Sequence, residues 1–145
     1  MQDETNDSLL PMPSPFLKKK LLIVDDDPSM LRLVKLVFRG HIAEVLSSED
    51  PREGLRLAMT YKPALILLDN DMPGLKGIDL LKQLKEMPGT THIPVIMLTG
   101  NNGEETVKTA VKYQVAGYLL KPCEPETLFQ TVFKTLERKS DQTDV

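Results

Sequence analysis

The sequence predicts an α/β protein built on one parallel sheet with helices on both faces. Short apolar runs alternate with stretches whose apolar residues recur at helical spacing, five times in about 120 residues. A closed barrel would need eight such units, so five fit an open sheet. At 145 residues the chain is one domain in length, and it is 41% hydrophobic and 27% charged, as globular domains are.

Each element has its own signal. Leu21 to Val24 is a continuous apolar run, the mark of a strand buried on both faces. A helix follows, with Asp27 as N-cap and Pro28 in its first position. Met30, Leu33, Val34 and Val37 form its apolar stripe, Phe38 broadens it, and Gly40 ends it. Ala43 to Ser47 is a second, weaker strand. Asp50, Pro51 and Glu53 open the next helix in the manner of a capping box, and Leu55, Ala58 and Met59 mark its inner face. Ala64 to Leu68 is the third strand, followed by a loop from Asp69 to Gly77 that Pro73 and Gly74 punctuate. Ile78, Leu81 and Leu84 mark a third helix. Ile93 to Leu98 is the fourth strand, with a polar loop over residues 99 to 103. Val107, Ala110 and Val111 mark a fourth helix, and Gly117 to Leu120 is the fifth strand. Pro125 opens the last helix, with Leu128, Phe129, Val132, Phe133 and Leu136 facing inward. Right-handed crossovers leave few arrangements of five such units, and the flavodoxin-like, doubly wound order 2-1-3-4-5 fits.

Residues 1–17 are acidic and then rich in proline, and read as a disordered or extended segment. Leu9, Leu10 and Phe16 are its candidates for docking onto the body. Residues 18–138 form the domain, and 139–145 a polar tail or linker. The net charge of −3 argues against direct nucleic-acid binding. No apolar run is long enough to enter a membrane as a helix. The single cysteine, Cys123, forms no internal disulfide and reads as a small apolar filler. The first residues are unlike a signal peptide, so a cytoplasmic protein is expected. His41 and His92 read as surface residues.

In an open α/β sheet, ligands bind at the carboxyl ends of the strands, where strand order reverses. Asp25, Asp26 and Asp27 follow the first strand. Asp69, Asn70 and Asp71 follow the third, Thr99 and Gly100 the fourth, Lys121 and Pro122 the fifth. Carboxylates gathered on one rim repel unless a cation lies among them, and oxygen ligands beside water suit Mg²⁺. Asp69, ending the most apolar strand at the reversal point, is placed to act as a nucleophile and form an aspartyl phosphate, with Lys121 and Thr99 holding phosphoryl oxygens.

The stretches Ile-Val-Asp-Asp-Asp-Pro-Ser-Met (23–30), Leu-Leu-Asp-Asn-Asp-Met-Pro-Gly-Leu-Lys-Gly (67–77), Pro-Val-Ile-Met-Leu-Thr-Gly (94–100) and Ala-Gly-Tyr-Leu-Leu-Lys-Pro (116–122) stand in order at four strand ends. Together they resemble the receiver domain of two-component response regulators, over residues 18 to 138. The resemblance implies Asp69 as phospho-acceptor and Mg²⁺ or Mn²⁺ as cofactor. Asp26 and Asp69 would be direct ligands, Asp25 would act through water, and Asp71 would offer its backbone carbonyl. It also implies Thr99 and Lys121 on the phosphoryl group, Tyr118 as the switch aromatic that moves with Thr99, and a cis Lys121–Pro122 bond. The donor would be a histidine kinase or histidine phosphotransfer protein. The surface of the fourth helix, fifth strand and last helix would then change for a downstream partner or output domain, with homodimerisation on phosphorylation as one outcome in the family.

Bland readings compete residue by residue. Asp27 is simply an N-cap, Thr99 alone is ordinary turn chemistry, Lys121 alone a solvated lysine, and Tyr118 a fixed half-buried aromatic. Lys76, Gly100 and Cys123 depart from the residues common in the family. Three other functions compete: a phosphorylation-independent docking module, an Asp-nucleophile phosphohydrolase, and a flavin electron carrier. The phosphohydrolase motif should follow the first strand, whereas Asp69-Asn70-Asp71 follows the third. Three aspartates after the first strand would repel a flavin phosphate.

Overall fold

The structure is a computed structural model and describes residues 15–72, 77–100, 107–108 and 111–143. The elements run β1 (Lys20–Val24), α1 (Pro28–Phe38), β2 (Glu44–Ser48), α2 (Pro51–Tyr61), β3 (Leu65–Asp69), α3 (Gly77–Glu86), β4 (Val95–Thr99), β5 (Gly117–Leu120) and α4 (Pro125–Thr143). The expected helix around Val107 to Val111 lies partly outside the described residues, and its described residues 107–108 and 111–112 are helical. The sheet has five strands in the order β2-β1-β3-β4-β5, all paired in parallel, as the alternation predicts. Among the described residues no helix is long and apolar enough to cross a membrane.

The pleat sorts the apolar runs into two layers, because successive strand residues point to opposite faces. Leu21, Ile23, Leu65, Leu67, Ile96 and Leu98 pack with Val34 and Phe38 of α1 and with Leu128 and Val132 of α4. Leu22, Val24, Ile66, Leu68, Val95 and Met97 pack with Leu57 and Ala58 of α2 and Leu80, Leu81 and Leu84 of α3. Each fully buried leucine or isoleucine contributes about 1.5–3 kcal/mol of apolar burial, which is why β1, β3 and β4 hold the centre of the sheet.

The helices led by Pro28 and Pro51 start as the sequence predicts. Asp27 accepts a hydrogen bond from the Ser29 amide at 3.0 Å, and Asp50 accepts one from the Arg52 amide at 3.0 Å. Glu53 does not close a capping box. Its carboxylate instead takes a two-pronged hydrogen bond from Arg56, one turn along. β4 begins at Val95 rather than Ile93, because Pro94 has no N–H for the ladder, although its carbonyl accepts from Ile66 at 3.0 Å.

Several sequence expectations change. Met59 is 43% exposed, and the inner stripe of α2 is Gly54, Leu57 and Ala58. Gly54 allows that stripe to close on the sheet, since a Cβ there would lie 2.7 Å from Val24 Cγ2. Val111, one of the residues that mark the fourth helix, is exposed, one turn before the chain leaves that helix through the Gln114 N–H to Val111 carbonyl bond. Phe16, placed by sequence in an extended segment, is buried and meets Phe133 edge to face at 5.4 Å. His41 is half-buried and edge-on to Phe129 at 4.9 Å. α4 runs through Thr143, past residue 138, because no proline or glycine interrupts those residues. Expectations about Leu9, Leu10, Pro73, Gly74, Lys76 and Ala110 lie outside the described residues.

Candidate functional site

The parallel register brings four separate strand ends to one rim. Val24 pairs with Leu68, so Asp25 and Asp69 each stand one residue past that level on adjacent central strands. Asp69 pairs with Leu98, and Thr99 with Leu120, so Thr99 and Lys121 follow in turn. Asp25 is fully buried, Asp69 is 1% exposed, and Thr99 is buried. Asp26 and Asp71 face solvent.

Backbone bonds hold the carboxylates in place. The Asp25 amide donates to the Ser48 carbonyl at 3.0 Å, and Asp25 Oδ1 accepts from the Asp27 amide at 3.0 Å. Asp69 Oδ1 accepts from the Asp71 amide at 3.1 Å. Asp25, Asp26 and Asp69 each present an oxygen within 4.8 Å of the others. Lys121 Nζ reaches into this group, 2.9 Å from Asp25 Oδ2 and 3.5 Å from Asp69 Oδ1. The Lys121–Pro122 bond is cis.

The electrostatics follow from burial and proximity. Burial first, and the neighbouring Asp25 charge second, push the Asp69 carboxyl up to about 6, against the pull of the Asp71 amide and Lys121. Burial works against the charge on Lys121, yet Asp25 and Asp69 more than offset it and hold its pKa above the ordinary lysine value. Asp27, fully exposed and bonded by the Ser29 hydroxyl and amide, is lowered instead. It is a helix cap and stands outside the cluster. A set of hard carboxylate oxygens beside solvent, and no nitrogen or sulfur donor among them, fits a divalent cation of the Mg²⁺ type.

Three contacts around the site were not legible in the sequence. The Asp71 carboxylate turns away from the cluster and accepts from the Gly100 amide at 3.0 Å, tying the loop after β3 to the loop after β4. Gly77, read from sequence as loop-shaping, begins α3 against the Asp69 backbone. A Cβ there would press on the Asp69 carbonyl oxygen and come 2.7 Å from Asn70 Cα. Met72 is buried in the core layer beneath α3 and plugs the loop into the body. For Gly77 and Met72 the only sequence signal was a glycine and an apolar residue inside an otherwise polar turn.

Tyr118 pairs with Met97, and Leu120 with Thr99, so Tyr118 and Thr99 lie on the same face of the sheet, two residues apart. The Tyr118 ring packs against the layer containing Met97. Its hydroxyl is buried and has no hydrogen-bond partner among the described residues. Cys123 is half-buried beside the core, and burial pushes its thiol pKa up, as for an inert filler.

This geometry agrees with what the chain is similar to. The family model described as "Response regulator receiver domain" matches residues 21–133. Protein PilH of Pseudomonas aeruginosa is 39% identical over 114 residues, covering 78% of this chain and 93% of that protein. The DNA-binding response regulator MtrA of Mycolicibacterium smegmatis is 30% identical over 126 residues, which cover 87% of this chain but 54% of MtrA. The chain thus spans about half the length of that relative. The crystal structure of a CheY-like response regulator receiver domain protein from Methanospirillum hungatei superposes with a TM-score of 0.80 at 26% identity, covering 86% of this chain and 98% of that one. With an acidic rim at the reversal point of a 2-1-3-4-5 sheet, and a match spanning most of its length, this chain belongs to the family of response regulator receiver domains, which are signalling domains rather than turnover enzymes.

Proposed function

We propose that the chain is a phospho-accepting switch whose acceptor is Asp69. The observation that carries this reading is the convergence of Asp25, Asp26 and Asp69 within 4.8 Å, with the Lys121 ammonium reaching between Asp25 and Asp69. An Asp69 carboxylate oxygen attacks the phosphorus of a phosphohistidine on a histidine kinase or phosphotransfer protein. The new O–P bond forms as the P–N bond breaks, and the imidazole leaves with the electron pair and takes up a proton. Burial pushes the Asp69 carboxyl up only to about 6, so it is still mostly ionised, and nucleophilic, at neutral pH. Asp25, Asp26, Asp69 and the Asp71 carbonyl would hold Mg²⁺ or Mn²⁺, which supplies charge neutralisation for the phosphoryl oxygens. Lys121 can swing from Asp25 to a phosphoryl oxygen, and the Thr99 hydroxyl can donate to another.

The phosphoryl group adds charge and strong acceptors at Asp69. Thr99 moves toward it, and Tyr118, on the same sheet face, repacks in response. The surface around β5 and α4 changes, and a downstream protein or output domain reads it as a shift between two packings. Such a domain works in the cytoplasm, where histidine kinases present their phosphohistidine.

The test is intact-protein mass after incubation with Mg²⁺ and a small acyl phosphate, or with a phosphorylated histidine kinase, with Asp69→Asn alongside. One phosphoryl adduct on the wild type, absent in the variant and absent without Mg²⁺, is expected. No adduct from either donor would sink the reading in favour of a phosphorylation-independent docking module.

A further inference from the structure

At the amino ends of the strands, opposite the acidic rim, lies a groove of about 1010 Å³. This volume stands at the upper end of the usual pocket range of roughly 300–1,000 Å³, and is roomy enough for a stretch of polypeptide. Lys18, Lys19, Lys20 and Lys62 line it, and Glu137 is the one carboxylate among its described lining residues. Lys62 Nζ donates to the Gly89 carbonyl at 3.0 Å, which spends none of its charge on an anion. Lys20 has Glu44 at 3.7 Å, on the sheet edge outside the groove. Between the lysines stand apolar walls, including Tyr61, which is 46% exposed. The groove therefore asks for an acidic ligand with some apolar side chains.

The chain carries one beside it. Residues 1–14, outside the described residues, hold Asp3, Glu4 and Asp7, no lysine or arginine, and then Leu9, Leu10 and Met12. This segment joins the body at Pro15 and Phe16, and both line the groove. Phe16 is buried against Phe133, so the tether is fixed at the groove wall. Fourteen residues reach as far as ~45 Å when extended, more than a groove of this size requires. Tethering places the acids near the lysines at an effective concentration of about millimolar.

We propose that this basic groove is the docking site of the chain's own acidic segment, residues 1–14. Asp3, Glu4 and Asp7 lie on the lysines, and Leu9, Leu10 and Met12 lie against the apolar walls. The proposal is independent of phosphorylation at Asp69.

The experiment follows the backbone amides of Tyr61, Lys62 and His92 by NMR in the full chain. Wild type is compared with D3N/E4Q/D7N at about 20 mM and about 0.5 M salt, where the Debye length falls from roughly 20 Å to a few ångströms. In the wild type these amides should move with salt, independently of protein dilution. In the neutralised variant they should sit at the high-salt positions throughout. A free peptide of residues 1–14 should bind that variant and bind the wild type at least severalfold more weakly. Identical spectra for the two proteins at low salt would overturn the proposal. So would equal peptide binding, or shifts that vanish on dilution, which would assign the groove to a second copy.

Discussion

Lys121, after β5, and Asp25, after β1, stand 96 residues apart in sequence and 2.9 Å apart in space. Asp25 is fully buried and Lys121 is 22% exposed at its side chain, so the pair is only partly screened by water. Lys121→Met would leave two buried carboxylates facing each other. We expect a loss of about 2 kcal/mol, between the values for exposed and buried pairs. That corresponds to a drop in melting temperature of about 4–8 °C in chelator. Added Mg²⁺ should restore the variant more than it raises the wild type, since an added cation replaces the lost one. An unchanged melt would show that the ammonium does not hold the cluster together.

The Asp69 carboxyl titrates near 6 when folded, against an ordinary value of 3.8. Below about pH 4 both folded and unfolded states hold the proton, and the group contributes nothing. Between about 4 and 6 the unfolded chain releases its proton while the folded chain keeps it, so stability falls as pH rises. Above 6 the full penalty remains. In chelator, Asp69→Asn should therefore be more stable than wild type at pH 7, by a margin that shrinks to nothing near pH 4. Denaturant melts across that range check it, and a margin that does not change with pH would refute it.

The Asp71 carboxylate caps the Gly100 amide across two loops. An exposed hydrogen bond of this kind is worth about 0.5–1.5 kcal/mol. Asp71→Ala should speed hydrogen exchange at the Gly100 amide by roughly 2–10-fold. The amides of β3 should keep their wild-type protection. Equal exchange at Gly100 would mean that the bond does not persist in solution.

Gly77 touches the backbone that carries the phospho-acceptor candidate. Gly77→Ala must displace either α3 or Asp69, at a cost of about 1–3 kcal/mol. We expect both a lower melting temperature and weaker Mg²⁺ binding by titration. A lower melting temperature with unchanged Mg²⁺ affinity would assign the movement to the helix alone.

Phe16 seals the core layer beneath α4. Phe16→Ala should cost about 3 kcal/mol, the usual loss for a buried phenylalanine. Chemical unfolding measures it directly. A cost under 0.5 kcal/mol, the range of ordinary surface changes, would return residue 16 to the peripheral segment.

The alternation of apolar runs and helical stripes was enough to place five strands, their order and the rim where acidic residues gather. Strand periodicity and helix caps are local, so Leu21 to Val24 or Asp27-Pro28 declare themselves within a few residues. The four strand-end motifs named Asp25, Asp26, Asp69, Thr99 and Lys121 because topology alone sends those ends to one edge. Other features depended on register and packing between distant segments: the ion pair of Lys121 with Asp25, the tie from Asp71 to Gly100, and the press of Gly77 on Asp69. Burial of Phe16 depended on Phe133, more than a hundred residues away, and no pattern around residue 16 records that partner. The length of α4 was likewise hidden, because a polar stretch without a breaker reads equally as tail or helix until the preceding turns are docked. Local chemistry determined the fold and the identity of the rim residues. Only the tertiary structure decided which of them touch, because contacts between residues far apart in sequence depend on the register and packing that the whole core imposes.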